Sequence, residues 1–325
     1  MRRVPLARTA AAAGMLLALP VAAWACGSMG LNDPRVAGTL ATAIFLPMLI
    51  LIPVEMVILG RVGGLEGRVI LAYQPIVDAT THEVDHYECL LRLRRRDGQI
   101  ATAGQFVPLV EQSGLMRLVD RRALELAVEE LCGHPRVHLA VNISGHTAAD
   151  RGWLRMLTAM VRGMPELAER LTVEITETVA LQDIEDTARF VAKLRDLGCR
   201  VALDDFGAGY TSFRNLKALD VDCVKIDGSF VKGLSDNIDN QLFVRTLLGL
   251  AEGLGLKTVA ECVETAADAA LLARRGVRYL QGWHFGKPVI ERPWLNSPAI
   301  APRPVAPAAP RLKLLAGGGK AAAAD

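Results

Sequence analysis

Eight short apolar runs limit what this chain can fold into. Amphipathic helical patterns lie between them, clearest at residues 117–131, 184–197, 240–254 and 266–275. The apolar runs cover residues 69–76, 84–91, 137–143, 171–175, 200–204, 221–226, 257–261 and 277–281. Apolar runs of this length that alternate with amphipathic helices are typical of a parallel sheet covered by helices. Eight such units in roughly 220 residues predict an α/β fold of the (β/α)8, TIM-like barrel type.

From the second run onward, each run carries a polar residue at or near its end. These residues are Glu88, Asn142, Glu174, Asp204 with Asp205, Lys225, Glu261 and Gln281. Any one of them alone is explained equally well as a helix cap or a surface ion pair. Buried polar groups without partners are costly, however, so the repeated interruption indicates a shared partner. Because a barrel gathers the carboxyl ends of its strands around one cup, we expect these side chains to meet there.

Asp204 and Asp205 follow an apolar run directly and precede a loop that contains Gly207 and Gly209. Successive strand residues point to opposite faces of a sheet. The two carboxylates can therefore share a target only if regular strand pairing ends at this point. The alternative is a turn that caps the following helix and carries no chemistry.

The candidate ligands are carboxylates and amides, which favours hard cations such as Mg²⁺ or Mn²⁺ over zinc. His134 and His138 have helical spacing, but Pro135 between them breaks any helix. The five acidic groups would repel one another without metal. Two divalent cations with one bridging carboxylate would neutralise them, and such a pair commonly serves in-line displacement at phosphorus. Lys225 would orient the water or stabilise developing negative charge.

Two apolar runs precede the predicted barrel. The first, at about residues 9–26, follows three arginines and ends in Ala23-Trp24-Ala25, so it is either a membrane span or a cleaved signal peptide. The second, at about residues 36–60, contains Glu55 as its only charge and predicts a membrane-spanning helix. Arginines flank both outer ends, so we expect the large domain to face the cytoplasm.

The predicted organisation is a membrane anchor at residues 1–62, a catalytic domain at 63–296 and a disordered tail rich in Ala, Pro and Gly at 297–325. The net charge of +2 provides no basic field, which argues against binding of duplex nucleic acid. No two cysteines have Cys-x-x-Cys spacing. Cys89, Cys199, Cys223 and Cys262 adjoin apolar runs and are expected to be reduced, buried thiols.

Short motifs follow one another in a fixed order along the predicted barrel. They are Tyr73-Gln74-Pro75-Ile76-Val77, Glu88-Cys89-Leu90-Leu91-Arg92, Asn142-Ile143-Ser144, Glu174-Ile175-Thr176-Glu177, Asp204-Asp205-Phe206-Gly207, Lys225-Ile226-Asp227, Glu261-Cys262-Val263-Glu264-Thr265 and Gln281-Gly282. In order and spacing this series resembles that of the EAL-domain cyclic di-GMP phosphodiesterases. The resemblance covers roughly residues 69–290, without the apolar runs or the tail, and implies a bacterial protein; the two apolar runs then predict the inner membrane as its location.

The resemblance implies a role for each matching position. Four residues would hold one cation, namely Glu88, Asn142, Glu174 and Asp204. Asp204 and Asp205 would serve the second cation, with Glu261 as a further ligand or as the general base and Lys225 in contact with the attacking water. Gln74 and Arg92 would contact the substrate, and Glu264 and Gln281 would complete the polar shell around it. Glu177 would anchor the loop at residues 206–212, which leads to the dimer face of the family and implies a homodimer.

Three positions depart from the family pattern. Cys89 stands where the pattern has Ala, Cys262 where it usually has Gly, and Gly228 where it usually has Arg. None of the three removes a ligand. The predicted function is therefore a membrane-anchored phosphodiesterase that opens cyclic di-GMP to linear pGpG. The alternatives are a cyclic di-GMP receptor without hydrolysis and a scaffold that acts through protein contacts; the complete ligand set favours the enzyme.

Overall fold

Eight strands close into a barrel in the computed structural model, which describes residues 67–209 and 213–295. The strands are β1 (Val69–Asp78), β2 (Val84–Arg94), β4 (Leu139–Ile143), β5 (Leu171–Thr176), β6 (Arg200–Phe206), β7 (Cys223–Ile226), β8 (Lys257–Ala260) and β9 (Tyr279–Gln281), while β3 (Ile100–Thr102) extends the sheet beside β2. Pairing of β1 with both β9 and β2 closes the barrel. The predicted eight-stranded barrel is therefore confirmed.

β1 runs antiparallel to both of its neighbours, whereas every pair from β2 through β4 to β9 is parallel. The expectation of a wholly parallel sheet is wrong for this strand. A tight turn after Asp78 is the reason: its carboxylate accepts hydrogen bonds from the backbone N–H of Thr80 and of Thr81. A parallel pair needs a crossover of a dozen or more residues, which the short segment between β1 and β2 does not provide.

Eleven helices occur in the described part of the chain. They are α1 (Ala103–Gln112), α2 (Met116–Gly133), α3 (Gly145–Ala148), α4 (Arg151–Val161), α5 (Pro165–Ala168), α6 (Glu177–Gln182), α7 (Ile184–Asp196), α8 (Phe213–Leu219), α9 (Gly228–Val231), α10 (Ile238–Leu254) and α11 (Ala266–Arg274), with 3₁₀ turns at Leu234–Asp236 and Pro293–Leu295. The four clearest helical patterns coincide with α2, α7, α10 and α11. Their ends follow from local chemistry: Asn237 caps α10, and Gly255 ends it in a left-handed conformation.

The register of the parallel strands separates two faces of the sheet. Val141 of β4 lies beside Val173 of β5, and both are buried. One residue further along, Asn142 lies beside Glu174 on the opposite face. Because successive residues alternate between faces, the apolar set packs toward the helices and the polar set faces the inside of the barrel.

The predicted membrane spans and the predicted tail lie outside the described residues. Among the helices that are described, none combines the length and the apolar character needed to cross a membrane. The five cysteines in this part of the chain are free thiols: Cys89 and Cys199 are buried as predicted, Cys223 and Cys262 are only partly buried, and Cys132 is exposed.

Candidate functional site

Lys225 lies at the centre of a buried cluster of carboxylates inside the barrel. Its ammonium nitrogen is 2.8 Å from a carboxylate oxygen of Glu174 and 2.7 Å from one of Glu261. Oxygens of Asp204 and Glu88 follow at 3.1 Å and 3.5 Å. One ammonium thus faces four carboxylates. Within the described residues no other Lys, Arg or His nitrogen forms an ion pair with them, so excess negative charge is built into this end of the barrel.

Two of these carboxylates come from regular strand backbone. Glu174 lies within β5, beside Ala202 of β6, and is 1% exposed. Glu88 lies in the middle of β2 instead of near its end, because β2 continues past the cluster to pair with β3. The sequence-based placement of Glu88 near a strand end is corrected accordingly, while its inward direction is as expected.

A β-bulge brings Asp204 and Asp205 to the same site. Leu203 pairs with Val224 and Phe206 with Ile226, so the two aspartates together oppose only Lys225 on β7. Asp205 takes up the extra residue with a left-handed φ of 55°. The strand therefore does not end at Asp204, as the sequence suggested, but continues to Phe206. The bulge interrupts the alternation and turns both carboxylates toward one target.

The acidic groups form two triads that share one residue. The first triad consists of Glu88, Glu174 and Asp204, and the second of Asp204, Asp205 and Glu261. Within each triad, one oxygen from every residue lies within 4.8 Å of the others. Three carboxylates at this spacing fit a hard divalent cation. Asp204 is the residue that the two triads share.

Side-chain amides hold Glu88 in place. The amide nitrogen of Asn142 donates to one oxygen of Glu88 at 2.6 Å, and that of Gln281 donates to the other at 2.5 Å. The side-chain nitrogen of Gln281 also donates to the side-chain oxygen of Gln74 at 3.2 Å, and the side-chain nitrogen of Gln74 donates to the backbone carbonyl of Gly286. The buried side-chain oxygen of Gln281 has no donor within the described part of the chain. Asn142 therefore contacts a member of the first triad, and its predicted role as a metal ligand stays a prediction.

Burial and mutual repulsion shift the pKa values of the cluster. Burial raises the pKa of Glu261 to about 8, against the opposing attraction of Lys225. Burial likewise raises the pKa of Glu174 well above its usual value, with Glu88 and Asp204 adding to the effect. For Glu88 the burial penalty is outweighed by Lys225 and by the amide hydrogen bonds, so its pKa is lowered. The Lys225 pKa is raised because the four carboxylates outweigh its burial.

A cleft of about 300 Å³ borders both triads: Asp204 and Glu261 of the second triad line it, and so does Glu88 of the first. Gln74, Gln281 and Glu261 line it together with Trp283, which is 62% exposed. Glu264 also lines the cleft, but it is exposed at the rim, 3.6 Å from the ammonium of Lys232. Neither Trp283 nor Lys232 was selected from the sequence. Trp283 directly follows the Gln281-Gly282 motif, and this adjacency was the available signal.

Arg92 does not line the cleft in the described structure. It lies two strand steps beyond Leu90, which does line the cleft, and therefore on the same face of β2 as Glu88. Its guanidinium donates to the carbonyl of Leu91 at 2.9 Å. Arg92 is thus beyond the outer end of the cleft, and its contact with a phosphate stays a prediction.

Glu177 joins the end of β5 to the loop that follows β6. Its carboxylate, 2% exposed, accepts hydrogen bonds from the backbone N–H of Gly207 at 3.0 Å and of Gly209 at 3.2 Å. Gly207 has a φ of 102°, and a Cβ there would approach Phe243 to 2.8 Å. These contacts are those that a loop anchor needs; residues 210–212 of the loop lie outside the described part.

Fold and site together define a barrel protein with a cup of hard oxygen ligands at the carboxyl ends of its parallel strands. The model of one family, the EAL domain, matches residues 64–288. The chain therefore belongs to the EAL-domain family.

Curated relatives carry names that refer to cyclic di-GMP. The chain is 34% identical over 227 residues to the probable cyclic di-GMP phosphodiesterase PdeA of Escherichia coli strain K12, covering 69% of this chain and 31% of that protein. It is 32% identical over 228 residues to the cyclic di-GMP phosphodiesterase PdeB of Shewanella oneidensis, covering 69% and 27%. The chain thus spans only about a third of the length of these relatives.

Solved structures show the same fold. The structure described as the PaMucR phosphodiesterase in complex with c-di-GMP superposes with a TM-score of 0.65 at 32% identity, covering 69% of this chain and 93% of that one. The EAL domain of FimX from Pseudomonas aeruginosa, described as bound to c-di-GMP, gives a TM-score of 0.66 at 25% identity, with coverage of 75% and 96%.

Proposed function

We propose that this protein is a cyclic di-GMP phosphodiesterase that opens its substrate to linear 5′-pGpG. The observation that carries the proposal is the pair of carboxylate triads joined by Asp204, within a domain of the EAL family. The names of the phosphodiesterase relatives and the c-di-GMP complex of the similar PaMucR structure support the choice of substrate. The intact donor set favours hydrolysis over binding alone.

The two triads would hold two Mg²⁺ or Mn²⁺ ions. The first ion would be held by Glu88, Asn142, Glu174 and Asp204, and the second by Asp204, Asp205 and Glu261. When bound, these cations would supply charge neutralisation at the phosphodiester and activation of water.

The protein's own groups would manage the proton and the developing charge. Water attacks phosphorus, the bond from phosphorus to the 3′ oxygen of one guanosine breaks, and that oxygen is protonated. Glu261 is placed to accept the proton of the attacking water, because its carboxylate lies at the cleft and its pKa is raised to about 8. Lys225 and Asp205 would orient the water, since both contact or adjoin Asp204 at the bulge.

The cleft would orient the substrate through amides and charged groups. Gln74 and Gln281 line the cleft and are linked to each other and to Glu88, so they would fix the position of the sugar–phosphate ring. Glu264 would act at the rim. Arg92 would grip a phosphate on the same strand face as Glu88, and this requires its side chain to leave the carbonyl of Leu91.

We further propose that residues 1–62 anchor the enzyme in the bacterial inner membrane with the catalytic domain in the cytoplasm. The domain would extend over residues 63–296 and the tail over 297–325. The uncharged apolar runs and the flanking arginines support this topology. A homodimer is proposed from the family resemblance and from the Glu177 contacts to the loop.

The proposed activity is tested with the full chain purified in detergent. Cyclic di-GMP, Mg²⁺ or Mn²⁺ and enzyme are combined, and the product is identified by chromatography. We expect pGpG, and loss of the activity when a chelator removes the metal. Calorimetric binding of cyclic di-GMP without any pGpG, over a range of metal concentrations and in the dimeric state, would establish a receptor instead.

The proposed topology is tested separately with reporter fusions at Asp325. A cytoplasmic fluorescent reporter is expected to be active there, and alkaline phosphatase is expected to be inactive. The reverse pattern would reject this orientation. Mass spectrometry of the mature N-terminus shows whether cleavage follows Ala25.

A further inference from the structure

Gly228 and Cys262 are in direct contact just beyond the carboxyl ends of the neighbouring strands β7 and β8. A Cβ added at Gly228 would lie 2.5 Å from the sulfur and 2.7 Å from the Cβ of Cys262, both far inside van der Waals contact. Gly228 is buried as the first residue of α9, and its backbone does not adopt a positive φ. Position 228 therefore requires a glycine because Cys262 leaves no room for a Cβ, and not because of the backbone conformation at position 228.

Cys262 directly follows Glu261, the ligand of the second triad that also faces the cleft. It adopts a left-handed φ of 53°, which is unfavourable for a residue with a Cβ. Its side chain lines the same cleft as Glu261. A conformation of this kind persists only where the surroundings hold it in place.

Backbone hydrogen bonds hold the chain on both sides of Cys262. On one side, the backbone N–H of Glu261 donates to the carbonyl of Ile226 at 3.2 Å, just before Gly228. On the other side, the N–H of Val263 donates to the carbonyl of Gln281 at 2.9 Å. Cys262 is the residue between these two bonds, and it packs on the first turn of α9. Movement of Cys262 would therefore move Glu261.

We propose that Gly228 and Cys262 form a packing pair that positions Glu261 in the second metal triad. Both residues depart from the EAL pattern, and the contact explains why they depart together: a side chain at 228 would occupy the space that the cysteine fills. The pair acts through Glu261, so both are positioning residues. The inference rests on the proposed two-cation site.

Substitutions at the two positions test the pair in the full-length protein. Mn²⁺ binding is measured by calorimetry and by electron paramagnetic resonance, alongside thermal melting and turnover. We expect Gly228→Ala to weaken one of the two Mn²⁺ sites by about tenfold to a hundredfold, as overpacking of a tight contact does, and to leave the other site close to normal.

Rescue at position 262 distinguishes this contact from a general defect. Gly228→Ala combined with Cys262→Gly removes both clashing atoms, so we expect the weakened site to recover. When Gly228→Ala is combined with Cys262→Ala, the clash with the Cβ of residue 262 remains, so we expect little recovery of the weakened Mn²⁺ site. Gly249→Ala on α10 is the matched control, because a Cβ there meets nothing within 4 Å.

The possible results separate this proposal from the proposed function. Two Mn²⁺ sites of unchanged affinity in Gly228→Ala, or equal rescue by Cys262→Ala and Cys262→Gly, would overturn the pair. If Gly228→Ala does not fold, the double variants decide. Recovery of folding and Mn²⁺ binding when Cys262→Gly is added, but not when Cys262→Ala is added, supports the pair. Failure of Cys262→Gly to restore them overturns it. Normal Mn²⁺ binding without any pGpG would reject the phosphodiesterase while leaving the pair intact. Absence of a second Mn²⁺ site in the unaltered protein would overturn both the packing pair and the proposed two-cation phosphodiesterase.

Discussion

The two acidic triads differ in burial and in backbone geometry, although they share Asp204. In the first triad, Glu88 and Glu174 lie on regular strands and all three carboxylates are buried. In the second, Asp205 is exposed and has a left-handed backbone, and Glu261 directly precedes another left-handed residue. Regular strands thus support the first, inner triad, and irregular backbone supports the second, more exposed one.

This difference predicts separate tasks for the two triads. All three residues of the first triad are buried, so it would suit an ion that steadies charge. The second triad includes the exposed Asp205, so water and substrate would reach it more readily. Strained backbone is often found where the chemistry takes place. We therefore expect changes in the second triad to affect turnover more than binding, and changes in Asp204 to affect both.

Replacement of the shared residue should have the largest effect. Asp204→Asn removes a negative charge from both triads with little change in shape. Turnover should fall by about three orders of magnitude or more, since stabilisation of the transition state is lost. Both Mn²⁺ sites should weaken in calorimetry. Asp239→Asn, an exposed aspartate on α10, is the control, and loss of only one Mn²⁺ site would show that Asp204 is not the bridge.

A comparison of Glu261→Gln with Glu174→Gln tests the division of tasks directly. Glu261→Gln should lower kcat by about 10²- to 10⁴-fold, the usual contribution of a general base, while cyclic di-GMP binding changes little. Glu174→Gln should weaken the inner Mn²⁺ site and reduce the population of active enzyme. Equal losses of kcat and of Mn²⁺ affinity in both variants would contradict the assignment.

Loss of the loop anchor should have an intermediate effect. Glu177→Ala leaves the N–H groups of the partly buried Gly207 and the exposed Gly209 without their carboxylate acceptor, so the loop loses its anchor while water can still satisfy the donors. We expect a fall in turnover of about tenfold to a hundredfold with both Mn²⁺ sites retained. Glu177→Gln keeps an acceptor oxygen and should restore much of the activity. An activity of Glu177→Ala equal to that of the unaltered enzyme would exclude the anchor role.

The smallest effect should be a pH dependence of stability in the metal-free protein. The pKa of Glu261 is raised to about 8 in the folded state. At a pH between the ordinary pKa of a glutamate and this raised value, the folded protein therefore binds more protons than the unfolded chain. The free energy of unfolding should therefore fall as pH rises from 7 to 8, by roughly 1 kcal/mol per pH unit.

The two buried histidines do not contribute in this window. Burial lowers the pKa of His86 to about 3 and of His138 to about 4, so each of them destabilises the fold only below about pH 6.5. Glu174, whose pKa burial also raises, changes stability in the same direction as Glu261. Denaturant titrations at pH 7 and pH 8 with a chelator measure the slope. Added Mn²⁺ should reverse it, because the cations favour the ionised carboxylates; a slope that Mn²⁺ leaves unchanged would point to groups outside the site.

Much of the fold follows from local sequence. Apolar runs and amphipathic patterns located all eight barrel strands and the helices α2, α7, α10 and α11 within a few residues, because side-chain burial imposes those patterns wherever the element lies. The motif series likewise selected the residues that meet at Lys225. Cys262 and Gly228 were noted as departures from that series, but their contact was not foreseen.

Tertiary structure alone decided three features of the site. The antiparallel β1 depends on a turn too short for a crossover, and the bulge at Asp204 and Asp205 depends on how β6 pairs with β7. The contact between Gly228 and Cys262 joins residues from the ends of two different strands. Local patterns record which face of an element is buried, but pairing register and contacts between strand ends depend on residues far apart in the chain. For this reason the sequence determined which polar groups the site contains, and the closed barrel determined their division into two unequal triads.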